Sequence, residues 1–145
     1  DETYKYLIRQ NIKAESERDI TLDFSNKIFS DNMIKVLRLC INLKELTSLV
    51  IIDKNISHKA IEYFIKCDFL KNLTNLCLCQ NNIGDKGLYY LSKCDFLINL
   101  NLLSLDNNNI SHTGIEYLSK CNFKKLTFLY LSFNRIDDKG IEFFS

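Results

Sequence analysis

One stretch of this chain occurs three times with substitutions, at residues 73–91, 100–118 and 126–144. The leucines that open these copies, preceded by Leu46, follow one another at steps of 27, 27 and 26 residues. A period in this range is typical of a solenoid, in which each unit is one supersecondary element that stacks on the next. Because such units bury their apolar faces only against one another, the period constrains the fold more than any other feature of the chain.

Each unit combines two different hydrophobic periodicities. In its first half leucines alternate with other residues, as at residues 76–78, which predicts a short strand with its leucines on one face. In its second half apolar residues fall at three-residue intervals, as at Leu88, Leu91 and Cys94, which suits a helix of about three turns. Stacked units are therefore predicted to form an α/β fold with a parallel sheet in front of a helical layer. Residues in the position of helix N-caps are Ser57, Ser111 and Asp137.

The unit pattern L-x-x-L-x-L-x-x-N-x-I-x-x-x-G-I-x-x-L resembles the leucine-rich repeat. It is complete in one unit, at Leu73, Leu76, Leu78, Asn81, Ile83, Gly87, Leu88 and Leu91. The G-x-x-x-L step and the length of the period are similar to those of the ribonuclease-inhibitor-like subfamily. This resemblance implies a leucine-rich-repeat solenoid shaped as a right-handed horseshoe or arc. Its parallel β-sheet would lie on the concave face, its α-helices on the convex face, and a protein ligand would bind to the concave sheet.

The repeats are predicted to occupy residues 20–145, as about four and a half units with the last one truncated. Residues 1–19, with Tyr4 and Leu7 at helical spacing, are interpreted as an N-terminal capping helix. The polar run at residues 15–19 supports a disordered tail as the alternative. Because the pattern stops inside the last helix, we expect either further chain or self-association through an uncapped C-terminal end.

Two columns of side chains are predicted to serve the scaffold. The resemblance implies a ladder of asparagines that bond to backbone groups of the turns, at Asn81, Asn108 and Asn134. A column of cysteines at the same period is interpreted as small buried side chains, at Cys40, Cys67, Cys94 and Cys121. One sulfur per repeat cannot close a tetrahedron, so this column predicts no metal site.

Side chains between and just after the strand leucines point away from the predicted core and are not needed to fill it. Many of them are apolar here, and exposed apolar patches commonly mark binding sites. Partner contacts are predicted at Val50, Ile52, Cys77, Cys79, Leu102, Asp106, Phe128, Tyr130 and Phe133. The three aromatic residues are expected to contribute most, unless they pack against further chain. For the C-x-C at residues 77–79, partner contact or a neutral lining is favoured over zinc or redox chemistry.

Composition narrows the function further. The chain has 19 Lys and Arg residues against 18 Asp and Glu, a net charge of +1, so neither a nucleic acid nor a membrane surface is predicted as a partner. No run of apolar residues is long enough to span a membrane. No nucleophile and base converge and no Gly-rich phosphate loop is present, so we predict no catalytic residue, no cofactor and no enzyme activity. The sequence is interpreted as a non-catalytic protein–protein interaction module in the cytoplasm, or in a host cytosol if it is a secreted effector.

Two alternatives stay open. GTPase-activating relatives of the Ran type share this repeat, and Arg135, in a turn after a strand, is the residue comparable to their polar loop residues. The chain is also compatible with the substrate-receptor arm of a larger ligase or of a pathogen effector.

Overall fold

The described strands form one sheet in the order of the chain. This computed structural model describes residues 12–16, 19–25, 29–37, 43 and 45–143. The strands are β1 (Ile12–Ser16), β2 (Asp19–Asp23), β3 (Leu46–Val50), β4 (Asn75–Cys77), β5 (Leu102–Ser104) and β6 (Phe128–Tyr130). β1 pairs with β2 in antiparallel orientation, and each later strand pairs with its predecessor in parallel orientation.

Helices connect the successive parallel strands. The α-helices are α1 (Asp31–Leu37), α2 (His58–Phe64), α3 (Gly84–Leu91), α4 (His112–Ser119) and α5 (Asp138–Glu142). Short 3-10 helices follow two of them, η1 (Asp68–Asn72) and η2 (Asp95–Asn99). Helices of neighbouring repeats lie side by side and form a second layer behind the sheet. The predicted α/β solenoid, with its parallel sheet on the concave face and its helices on the convex face, is confirmed.

A column of leucines fills the space between the sheet and the helices. Leu22, Leu49, Leu76 and Leu103 are register partners on neighbouring strands, and each is 0% exposed. Burial of one leucine side chain stabilises a fold by about 1.5 to 3 kcal/mol. A spacing in the sequence thus becomes a continuous core that runs along the solenoid.

The helix starts are held by the predicted capping side chains. Ser57 Oγ accepts a hydrogen bond from the backbone N–H of Lys59, and Ser111 Oγ accepts one from Thr113, both at 3.2 Å. Asp137 Oδ1 caps α5 by accepting the backbone N–H of Gly140, three residues on, at 3.2 Å. These three N-cap predictions are confirmed, and each cap satisfies a backbone donor that the first turn of a helix leaves unpaired.

Two aspartates join a helix start to the next repeat. Asp31 accepts bonds from the backbone N–H and the hydroxyl of Ser57 at 2.8 and 2.6 Å, and Asp85 binds Ser111 at the same two distances. Asp85 Oδ1 also accepts the N–H of Gly114 at 3.0 Å. A Cβ at residue 114 would lie 2.5 Å from that oxygen, so the close approach requires glycine.

The structure differs from the sequence prediction at three places. Residues 12–16, predicted as part of a capping helix or tail, form strand β1. Residues 1–11 lie outside the described residues, and a domain boundary at residue 20 stays a prediction. The α-helices of the three middle repeats have 7 or 8 residues, about two turns rather than three. The third difference is η1 and η2, which the sequence pattern did not reveal.

Candidate functional site

Strand pairing turns the variable positions into columns across the concave face. One column of register partners is Ser48, Asn75, Leu102 and Phe128. The next is Val50, Cys77, Ser104 and Tyr130. Because neighbouring residues of a strand point to opposite faces, these side chains lie opposite the buried leucines. Each of these two columns extends across four strands, so it is about 14 Å long from β3 to β6.

Exposure on this face rises toward the last repeat. The predicted contact residues of the earlier repeats are partly buried, namely Val50, Ile52, Cys77, Cys79, Leu102 and Asp106. In the last repeat Phe128 is 53%, Tyr130 45% and Phe133 87% exposed. These three side chains are called the aromatic patch below. It places more apolar bulk in water than the equivalent positions of the other repeats.

The turns that follow β3, β4, β5 and β6 use a left-handed backbone conformation. The φ angle is 55° at Asp53, 56° at Gln80, 53° at Asn107 and 56° at Phe133. Asparagine and aspartate tolerate this region, whereas a bulky aromatic residue there is an outlier. Phe133 therefore occupies a strained backbone position and at the same time exposes its ring.

Two thiols converge on the concave face near the end of β4. Cys77 Sγ and Cys79 Sγ are 3.4 Å apart, and Cys79 Sγ lies 2.8 Å from Ser104 Oγ on the neighbouring strand. Ser104 is only 6% exposed. Burial raises the pKa of the Cys77 thiol to about 11. The sequence places both cysteines on one face, but the contact between their sulfurs and the serine hydroxyl is visible only in the structure.

Asp106 links the ends of two strands. Its Oδ1 accepts a hydrogen bond from the backbone N–H of Ser132 at 2.6 Å. The carboxylate is partly buried and orders the chain that leads from β6 into the turn with Phe133. Asp106 therefore has a structural contact in addition to the partner contact predicted for it.

The asparagines bond across repeats. Asn81 Oδ1 accepts the backbone N–H groups of Lys54 and Ile56 at 3.0 and 3.2 Å. Its Nδ2 donates to the carbonyls of Ile51 and Leu78 at 2.8 and 3.0 Å. Each asparagine thus holds the turn of the preceding repeat to its own strand. Corresponding bonds are made by Asn108 and Asn134.

The regular cysteines follow the helices and face inward. Each described sulfur donates to the carbonyl four residues earlier, at 3.1, 3.5 and 3.5 Å for Cys67, Cys94 and Cys121. Burial raises the pKa of the Cys94 and Cys121 thiols to about 12, which is typical of inert structural cysteines. Cys40 lies outside the described residues.

Other polar groups are engaged in local contacts. His112 Nδ1 lies 3.3 Å from Asp137 Oδ2, and the His58 ring stacks on Tyr90 at 6.3 Å between centroids. Over the described ranges, no three His, Cys, Asp or Glu side chains converge as a metal site. Arg135 is exposed in the turn after β6.

An exposed aromatic side chain also lies on the convex face. Tyr89 is 41% exposed, and its ring packs edge-on against Tyr90 and Tyr117 with centroids 5.4 Å apart in both pairs. The ammonium group of Lys93 lies 5.3 Å from the centre of the same ring. Tyr89 is therefore engaged within the chain and offers a matched comparison for the aromatic patch.

A cleft opens at the C-terminal end of the solenoid. Its volume is about 500 Å³, and its lining includes Leu118, Phe123, Leu126, Leu129 and Phe143. Self-association through this end stays a prediction.

Comparisons with known proteins agree with the fold. A family model described as Leucine Rich repeat matches residues 70–92 and 124–145. No curated protein sequence matches the chain. The crystal structure of an internalin from Listeria monocytogenes is similar, with a TM-score of 0.56 and 29% identity. The match covers 86% of this chain and 32% of the internalin, so the chain spans about a third of its length.

A second solved structure, of a BIR3–SERK2 complex from Arabidopsis thaliana, has a TM-score of 0.47 and 19% identity. That match covers 88% of this chain and 64% of the other. The chain carries leucine-rich repeats, while the ribonuclease-inhibitor-like subfamily stays a prediction. None of the described helices is long and apolar enough to cross a membrane.

Proposed function

We propose that this leucine-rich-repeat solenoid is a non-catalytic module that binds a protein partner on its concave sheet, with the aromatic patch as the centre of the contact. Leucine-rich-repeat domains are typically protein-interaction modules, which supports the general role. The single observation that carries the specific proposal is the exposure of Phe128, Tyr130 and Phe133 on one repeat.

Exposed aromatic rings are the side chains that contribute most to protein interfaces. They bury a large area with few rotatable bonds, and those that act as hot spots contribute about 2 kcal/mol or more each. A solenoid presents them on a rigid sheet, so little conformational entropy is lost when a partner binds. The partly buried positions from Val50 to Asp106 would then form the flank of the same contact.

The backbone at Phe133 supports a binding role for its ring. An asparagine occupies the equivalent position in the preceding repeat and adopts the left-handed conformation more readily. A strained residue with an exposed side chain gains nothing in stability from being aromatic. A role in partner contact accounts for it.

The balanced net charge of +1 favours a protein over a nucleic acid or a membrane as the partner, and we place the module in the cytoplasm or a host cytosol. Arg135 is exposed, as regulation of a GTPase would require, but an apolar patch is better suited to holding a protein surface than to stabilising phosphate charge. A receptor arm of a larger ligase or effector would use the same surface.

The test compares partner capture by three forms of the immobilised protein: wild type, Phe128→Ala/Tyr130→Ala, and Tyr89→Ala. We expect the double variant to bind the captured partner at least about 30-fold more weakly, because the loss of one hot spot costs about 2 kcal/mol. Affinity for the recovered partner is measured by titration.

Tyr89→Ala is the matched control, since it removes an exposed aromatic ring from the convex face. It should leave the affinity unchanged. Equal capture by the folded double variant and by wild type would contradict the proposal, and so would an equal loss in Tyr89→Ala.

A further inference from the structure

We propose that Cys77 and Cys79 form a chelating site for a thiophilic divalent cation such as Zn²⁺ on the concave face. The sequence favours partner contact or a neutral lining for this pair, because C-x-C alone is a weak motif and no His lies nearby in the same repeat. In the structure the two sulfurs are 3.4 Å apart and partly exposed on the same side of the sheet. Thiolates are the preferred ligands of Zn²⁺ and related soft ions.

The separation of the sulfurs is close to what one shared cation requires. Two thiolates bound to one Zn²⁺ at about 2.3 Å in tetrahedral geometry are about 3.8 Å apart. The observed 3.4 Å has to widen by only about 0.4 Å, which small side-chain rotations supply. The column of buried cysteines that follow the helices differs, because each of its described sulfurs donates to a carbonyl of its own repeat.

A disulfide fits the same two residues less well. Residues two apart in an extended strand have Cα atoms about 6.6 Å apart, near the upper limit for a disulfide. Their Cβ atoms would have to approach to about 4 Å, which requires the end of β4 to bend. A cation bridges the sulfurs without this distortion.

Ser104 provides a second, independent feature of a built site. Its hydroxyl is buried, belongs to the neighbouring strand and lies 2.8 Å from Cys79 Sγ. It is placed to donate a hydrogen bond to the sulfur when the sulfur is a thiolate, as the outer contacts of metal ligands commonly do. The described part of the chain brings no third His, Cys, Asp or Glu ligand to this point, so the other coordination positions are left to water or to a donor atom of a bound partner.

Binding involves an exchange of protons and no transfer of electrons. Each thiol loses its S–H proton to solvent, and two metal–sulfur bonds form, so one cation displaces two protons.

The first test titrates the reduced full chain with Zn²⁺ against a chromophoric zinc indicator. We expect one tight equivalent in the wild type. Loss of an outer-shell contact weakens metal affinity by roughly 10- to 100-fold. Cys77→Ser and Cys79→Ser each remove a direct ligand, so each should weaken the affinity for Zn²⁺ by more than that. Cys121→Ser removes a partly buried thiol elsewhere and should leave the affinity within about twofold of wild type.

A second measurement needs no variant. Alkylation of the wild-type protein, mapped by mass spectrometry, should show that Zn²⁺ protects Cys77 and Cys79 and leaves the labelling of Cys121 unchanged. Three results would overturn the proposal: equal labelling of the pair with and without Zn²⁺, unchanged affinity for Zn²⁺ in both single variants, or oxidation of the pair to a disulfide in air. No partner is used in either measurement, so failure here leaves the partner proposal standing.

Discussion

The third and the last repeats carry nearly the same pattern in different surroundings. Leu76, Leu78 and Ile83 of the third repeat are 0%, 0% and 2% exposed, because repeats lie on both sides of them. The equivalent residues of the last repeat are only partly buried, at Leu129, Leu131 and Ile136. The comparison teaches that the pattern of a repeat selects its secondary structure, whereas its neighbours decide how much stability the pattern yields.

The two repeats also differ on the concave face. The third repeat places Asn75, Cys77 and Gln80 where the last places Phe128, Tyr130 and Phe133. Compared with the third repeat, the last repeat has a less buried core and exposes more aromatic area on the concave face. The residues that pack in the core and the residues that face the concave side occupy different positions of one repeat, so either set can be substituted alone.

The largest expected effect is a difference in stability loss between a core substitution in the third repeat and the equivalent one in the last repeat. Leu76→Ala removes a fully buried side chain and should lower the free energy of unfolding by about 3 kcal/mol, the cost of a cavity in a packed core. Leu129→Ala should cost about 1 kcal/mol or less, because its site already meets solvent on one side. Urea unfolding followed by circular dichroism measures both.

The same pair of variants can break the comparison. If Leu129→Ala costs as much as Leu76→Ala, the end repeat is packed as firmly as the third one. The difference between the two repeats would then lie only in their surface residues.

A smaller effect is expected in the asparagine ladder. Asn81→Ala leaves the backbone N–H groups of Lys54 and Ile56 and the carbonyl of Ile51 without this partner and should cost about 2 kcal/mol. Asn134→Ala breaks equivalent bonds at a partly exposed site where water can replace them, so it should cost about 1 kcal/mol. Thermal and urea unfolding of the two variants sharpen the comparison, and a larger loss in Asn134→Ala would contradict it.

The sequence predicted what depends on periodicity. Repeated leucines fix the α/β solenoid, the order of the strands and their columns of register partners, because any shift by one residue would move the leucines out of the core. Ser57, Ser111 and Asp137 could be identified as N-caps because a capping side chain acts on a backbone group only two or three residues away.

Local details that depend on neighbours could not be predicted. The buried Phe96 and Leu97 of η2 are adjacent in sequence and match neither a strand nor an α-helical stripe. β1 pairs with β2, no more than ten residues away in the chain, but the polar run at residues 15–19 lacks the alternating apolar pattern by which a strand is predicted. The approach of Cys79 to Ser104 depends on side-chain rotation across two strands, and the aromatic patch depends on exposure, which neighbouring repeats determine.

The smallest expected effect tests the central claim, that the exposed aromatic side chains on the concave face are not needed to hold the solenoid together. Phe133→Asn exchanges the most exposed aromatic ring for the residue found at the equivalent position, Asn107, of the preceding repeat. The measurement is the free energy of unfolding of this variant in urea. The account predicts that it stays equal to wild type or rises by up to about 1 kcal/mol, because a left-handed backbone suits asparagine better than phenylalanine. A fall of more than about 1 kcal/mol would contradict the account, since it would show that the ring packs into the fold.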